Sequence, residues 1–198
     1  MINCLLAGVG GQGIVLASKL MAHAAMNMGL KVRTAETIGM AQRGGCVVSH
    51  VRIGEEIHSP LISLKSADVV IGFEPAEAVR CLSYLKEGGT LIVSTKAIKP
   101  VTDSLSITDY DGDEMLKYLS NHVLRLIVVD SEAVFAECGS AKVLNIALLG
   151  ATVAAGVLGI SLENIEKTII EKLPQKYIEM NIKALRAGAK TVLKENVG

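Results

Sequence analysis

The stretch LLAGVGGQGIV, residues 5–15, constrains the fold more than any other part of the chain. A short apolar run ends in Gly8, Gly10, Gly11 and Gly13, and an apolar helical pattern follows at once. Glycines at a strand-to-helix turn permit positive φ and let a ligand approach bare backbone. The helix start then offers N–H groups and the positive end of its dipole to an anion. Gly8, Gly10 and Gly13 fit the G-x-G-x-x-G spacing of a dinucleotide turn. Such a site also requires an acidic residue at the end of the second strand, roughly 20 residues on, to hold a ribose. Glu36 occupies that place. An independent nicotinamide- or flavin-binding oxidoreductase is therefore one reading. The other is that the glycines serve only tight packing of helix on strand.

Strand and helix alternate around this turn. The pattern predicts a strand over 2–7, a helix over about 12–28 stopped by Gly29, and a strand over 31–36. Residues 46–53 and 55–58 read as two extended arms turning at Gly54-Glu55, hence an antiparallel hairpin. A strand over 68–73 leads through Pro75 into a helix over 76–87, and a strand over 90–94 follows Gly88-Gly89. A strand over 124–129 precedes an apolar helix over 140–158, and Ser161 caps the next helix with Glu163 in its first turn. Pro174 separates a last helix whose apolar face is Ile178, Ile182, Leu185 and Ala189. The expectation is one α/β domain over residues 1–198: a three-layer α/β/α Rossmann-like fold, mostly parallel, with an antiparallel hairpin.

Composition removes several function classes. Lys+Arg and Asp+Glu number 20 each and no basic tract stands out, which argues against a nucleic-acid or membrane partner. Aromatic residues make up 3% with no tryptophan, too few for a base-stacking platform. Cys4, Cys46, Cys81 and Cys138 are scattered, with no C-x-x-C for an iron–sulfur cluster. No charged leader precedes the first strand, so reduced thiols and a cytoplasmic location are expected. The apolar stretch 143–160 carries Asn145 and Thr152 and reads as a helix buried within the domain. Asp109, Asp111 and Asp113 lack the glycine and glutamate of a calcium loop, and the four histidines show no ligand spacing, so no metal site is expected.

Two details pull away from a dinucleotide site. Gln12 follows the doublet Gly10-Gly11, placing an amide where a phosphate turn needs no side chain. In ETIGMAQRGGCVVSHVRIG, residues 36–54, Arg43 stands directly before Gly44 and Gly45. That arrangement suits a backbone bending close to an anion with a guanidinium for bidentate contact, although a turn without function could hold the same residues.

Taken together, G-x-G-G-Q-G, the G-x-x-x-R-G-G loop and the V-x-H-V-R strand resemble the gamma-type domain of the 2-oxoacid:ferredoxin oxidoreductases. The loop is most similar to the small (beta) subunit of indolepyruvate ferredoxin oxidoreductase. The likeness continues through ADVVIGFEPAEAVR, AKVLNIALLGA and YIEMNIKALRAG, almost the whole chain in order. The resemblance implies a subunit that is inactive alone and binds no cofactor by itself. A large partner would carry thiamine diphosphate and iron–sulfur clusters, the 2-oxoacid would be an aryl pyruvate such as indolepyruvate, coenzyme A the co-substrate, and ferredoxin the acceptor. This subunit would help shape the oxoacid and coenzyme A pocket. Gly10, Gly11, Gly13 and the Gln12 amide would face that pocket or the partner loop lining it, Arg43 would pair with a carboxylate or phosphate, and Gly44 and Gly45 would bend its loop. His50 could touch the partner. Asn145 either braces the glycine turn or is satisfied locally in the core. Many family members carry histidine where this chain has Ile38, and serine or glutamate where it has Ala41, so contacts of those groups are missing here. A purely structural docking subunit is the third reading.

Overall fold

The computed structural model of the chain describes residues 1–38, 45–98 and 110–195. β1 (Ile2–Val9) is buried along nearly its whole length, as expected of an apolar run covered on both faces. α1 (Ile14–Asn27) follows the glycine turn and buries Ile14, Ala17, Leu20, Met21, Ala24 and Ala25, one stripe at helical spacing. It stops where expected, with the Gly29 N–H donating to the Met26 carbonyl at 2.9 Å. β2 (Val32–Ile38), β3 (Cys46–Ile53) and β4 (Ala67–Gly72) come next, then α2 (Pro75–Arg80), a 3-10 turn (Leu82–Tyr84) and β5 (Leu85–Ser94). α3 (Gly112–His122), β6 (Arg125–Val129), α4 (Ser131–Cys138), a 3-10 turn (Ala141–Val143), α5 (Leu144–Ala154), α6 (Leu162–Lys172) and α7 (Gln175–Glu195) complete the described chain.

The six strands form one sheet in the order β2-β3-β1-β4-β5-β6. Only β3 runs against its neighbours, pairing antiparallel with both β1 and β2, whereas β1, β4, β5 and β6 are parallel. Alternate side chains feed two cores. Leu6, Val69, Ile71 and Ile92 point toward α1, α5, α6 and α7, and Leu5, Ala7, Val70 and Leu91 toward Ala78 of α2 and Leu119 of α3. The expected layered α/β architecture is borne out. No single helix among the described residues is long and apolar enough to cross a membrane, and α5 is buried from Leu144 to Val153.

The local expectations need four corrections. The antiparallel arms are β2 and β3, not 46–53 with 55–58, because β3 pairs across its full length with strands on both sides. Helix 76–87 ends at Arg80, and β5 begins at Leu85; it pairs with β4 there and again from Thr90, and Gly88-Gly89 sit in the register shift between the two. The helix expected over 140–158 is instead a 3-10 turn (Ala141–Val143), capped by the Ser140 hydroxyl that accepts from the Lys142 N–H, followed by α5, which ends at Ala154. Finally, α3 and α4 are two helices beyond those expected. Their signals are the N-caps Asp111 and Asp130, each accepting hydrogen bonds from the first turn.

Candidate functional site

The chain leaves β1 through α1 on one face and β4 through α2 on the other, so the sheet's switch point lies between β1 and β4. Open α/β sheets bind ligands outside the carboxyl ends of such a pair. Here one wall is the glycine turn and the other is the turn formed by Phe73, Glu74 and Pro75.

Gly11 and Gly13 both adopt left-handed backbone, with φ of 98° and 79°. A Cβ on Gly11 would meet nothing within 4 Å, so this position opens outward and the backbone itself demands glycine. Gly13 is the N-cap of α1, and no side chain caps the helix. Its first-turn N–H groups are left for an acceptor from outside the helix. The Gly10 N–H donates to the Gly45 carbonyl at 2.9 Å, so the last glycine of the arginine loop rests against the first motif. Arg43 and Gly44 lie outside the described residues.

Gln12 departs from its expected role. Its amide turns inward: Oε1 accepts from the Val9 N–H at 2.7 Å and Nε2 donates to the Phe73 carbonyl at 2.8 Å. Asn145 braces the turn rather than closing on its own helix. Its Nδ2 donates to the Gly13 carbonyl at 3.2 Å, while the buried Oδ1 finds no partner among the described residues. Glu36 is not brought to the turn. It sits on β2, the outer strand, with β3 between it and β1, a separation of roughly 9–10 Å at ordinary strand spacing. In a dinucleotide fold that strand lies directly beside β1, so the ribose contact expected of Glu36 has no place here.

The second wall holds residues that the motif reading missed. Glu74 is 1% exposed. Its Oε2 accepts from the Glu77 N–H at 3.0 Å, capping α2, and its Oε1 accepts from the Tyr110 hydroxyl and from the Ile98 N–H at 3.4 Å. Burial and this carboxylate push the Tyr110 hydroxyl well above the ordinary tyrosine range. Glu77 is also buried, with Oε1 accepting from Arg80 at 3.0 Å. Pro75 at the first helical position was the available signal, since the residue before it is then the cap. Burial, with the Glu77 carboxyl second, pushes the Cys46 thiol up to about 12 and the Cys81 thiol up to about 11. Both thiols stay protonated at neutral pH, so neither is a nucleophile.

The V-x-H-V-R strand works at the opposite end of the sheet. His50 is 5% exposed, which corrects the expectation that it touches a partner; its Nδ1 accepts from the Ile62 N–H at 3.2 Å. Arg52 donates to Asn3 Oδ1 at 2.9 Å and to the Ser59 and Leu61 carbonyls at 2.8 and 3.3 Å. Both residues fasten the connector between β3 and β4. No group of three metal-ligating side chains occurs among the described residues.

Residues 3–191 match the family model described as pyruvate ferredoxin/flavodoxin oxidoreductase. The chain is 38% identical over 188 residues to the indolepyruvate oxidoreductase subunit IorB of Archaeoglobus fulgidus, covering 94% of this chain and 93% of that one. It is 36% identical to the IorB of Thermococcus kodakarensis, covering 99% and 98%. Among solved structures, the gamma subunit of a keto/oxoacid ferredoxin oxidoreductase from Geobacter sulfurreducens is 25% identical with a TM-score of 0.69, covering 98% of this chain and 99% of that one. The pyruvate oxidoreductase subunit PORC from Thermotoga maritima is 26% identical with a TM-score of 0.70, covering 96% and 95%.

Proposed function

Because the chain belongs to the pyruvate ferredoxin/flavodoxin oxidoreductase family, we propose that it is the small subunit of an indolepyruvate-type 2-oxoacid:ferredoxin oxidoreductase. Family membership bears out the resemblance carried by its motifs. The enzyme decarboxylates an aryl pyruvate oxidatively to an acyl-CoA and passes the electrons to ferredoxin. The observation that carries this reading is the collinear similarity to the IorB chains over almost the full length. In this reading the thiamine diphosphate and the iron–sulfur clusters are carried by a large partner subunit. The assembly works in the cytoplasm.

Within the complex, this chain supplies an anion-recognising edge to the pocket for the oxoacid and coenzyme A. The uncapped start of α1 behind the open Gly11 position supports that role, as does the contact of Gly45, the residue that follows Arg43 and Gly44, with Gly10. Arg43 provides the planar donor fork for a carboxylate or phosphate. The inward Gln12 amide and the outer position of Glu36 both weigh against an independent nicotinamide or flavin site.

The test is steady-state kinetics on the complex reconstituted with its large subunit, varying oxoacid and coenzyme A separately. Arg43→Lys raises KM for one of them, and Arg43→Ala removes about 1.5–3 kcal/mol of transition-state stabilisation. Gly11→Val, which adds a side chain at the open left-handed position, lowers activity sharply while the chain stays folded. Unchanged kinetics in all three variants would leave a structural docking subunit. Saturable micromolar NADH binding by the wild-type chain would restore the nicotinamide reading.

A further inference from the structure

Two side chains fix the glycine turn: Asn145 holds the Gly13 carbonyl from α5, and Gln12 ties the turn across the crevice. Gly-Gly-Gln-Gly is intrinsically a loose segment, because glycine restricts the backbone least. Its own backbone bonds at the turn are the Gly10 N–H to the Gly45 carbonyl, the Gln12 N–H to the Val9 carbonyl at 3.2 Å, and the Ala17 N–H to the Gly13 carbonyl at 3.1 Å. None of these reaches the opposite wall of the crevice. The Gln12 side chain does, joining the Val9 N–H on one side to the Phe73 carbonyl on the other.

The far anchor is rigid. The Phe73 N–H donates to the Ala7 carbonyl at 2.8 Å, continuing the β1–β4 ladder, so the Phe73 carbonyl is held beside the turn. The next residue, Glu74, is immobilised by the Glu77 N–H, the Ile98 N–H and the Tyr110 hydroxyl. Room for the bridge comes from Gly8, where a Cβ would stand 2.6 Å from Gln12 Oε1 and 2.7 Å from the Phe73 Cβ. The amide uses both its donor and its acceptor along this line, an arrangement that neither a hydrocarbon nor a shorter amide reproduces.

We propose that Gln12 is a positioning residue: it ties the glycine turn to the β4–α2 wall and thereby aims the turn and the first N–H groups of α1 at the anionic substrate. This rests on the reading of that edge as a substrate contact. Gln12 itself touches no substrate and acts through the backbone of Gly11, Gly13 and Ile14.

The experiment uses the reconstituted complex with indolepyruvate and coenzyme A. Gln12→Met keeps the length of the side chain and removes both hydrogen bonds, and Gln12→Asn keeps the amide but falls short of Phe73. Both raise KM for one anionic substrate by about tenfold while kcat changes less than about threefold. Gly8→Ala, which displaces the amide from inside the protein, produces the same KM change, and the Gly8→Ala/Gln12→Met pair is not additive. If Gly8→Ala fails to fold, the two Gln12 variants decide the matter. A lower Tm with both constants unmoved makes Gln12 a structural bridge only and overturns the proposal. If Gly11→Val raises KM while Gln12→Met and Gln12→Asn do not, positioning fails and the substrate edge stands. If no variant moves KM, the substrate edge fails as well.

Discussion

At the scale of the single residue, Asn145 shows how a core position becomes part of the site. It is 3% exposed on an otherwise apolar helix, and its donor faces a carbonyl at the N-cap of another helix. Asn145→Ala removes one hydrogen bond and also an orphaned acceptor, so unfolding in urea shows a loss of about 1–2 kcal/mol. Asn145→Asp puts a carboxylate oxygen against the Gly13 carbonyl in a buried place and costs more than Asn145→Ala, about 3 kcal/mol or more. The reverse order would mean that Nδ2 does not hold the turn. His50 carries a pH dependence of known sign. Burial lowers its pKa, and the neutral ring accepts from the Ile62 N–H. The unfolded state therefore binds the proton first, and the stability this group contributes is present above about pH 6.5 and lost as the pH falls through the lowered folded value. Thermal unfolding between pH 7 and pH 5 shows a falling Tm, and the fall is smaller in His50→Gln.

At the scale of the element, the crossing of α5 and α7 tests packing against propensity. Gly150 and Gly188 let the two helix backbones touch, since a Cβ on Gly150 would overlap the Leu185 carbonyl and one on Gly188 the Ala147 carbonyl. Intrinsic preference alone says that Gly188→Ala stabilises α7 by about 1 kcal/mol. Overlap with main chain that cannot step aside says that it destabilises the protein by about 3 kcal/mol. The sign of the change in urea midpoint separates the two, and we expect destabilisation. The β3–β4 connector gives a second case. Arg52→Lys loses the forked contacts to Ser59 and Leu61, lowering stability by about 1 kcal/mol while leaving KM in the complex unchanged, because the connector lies at the sheet end away from the glycine turn. A change in KM would draw that connector into the site.

At the scale of the whole molecule, the ionisable groups buried among the described residues are committed to the fold. Its buried thiols are held protonated, and its two buried glutamates are engaged in capping α2 and in an ion pair with Arg80. On the proposed function, we expect the isolated protein to be colourless and inactive and activity to return when the large subunit is added. Absorbance, iron and sulfide analysis and turnover of indolepyruvate check this. Brown protein containing iron and sulfide after clean purification would contradict it.

The strand–turn–helix at residues 5–15, the stop at Gly29, the cap at Ser161 and the family are legible in the sequence, because each depends on neighbours a few positions apart or on motifs in fixed order. The capping box at Ser161 closes on Asn164, within one helical turn, and is legible for that reason. Tertiary structure alone decided where β3 goes. An antiparallel strand inserted between β1 and β2 moves Glu36 away from the glycine turn, and spacing along the chain cannot distinguish that order from the dinucleotide one. It also decided that Gln12 turns inward, since its partner Phe73 is 61 residues away. The same holds for Glu74, which binds Tyr110 36 residues on, and for Asn145, which binds Gly13 132 residues back. A side chain with both donor and acceptor serves a ligand or the protein's own backbone equally well. Which one it serves depends on the distant carbonyl that the fold brings within about 3 Å.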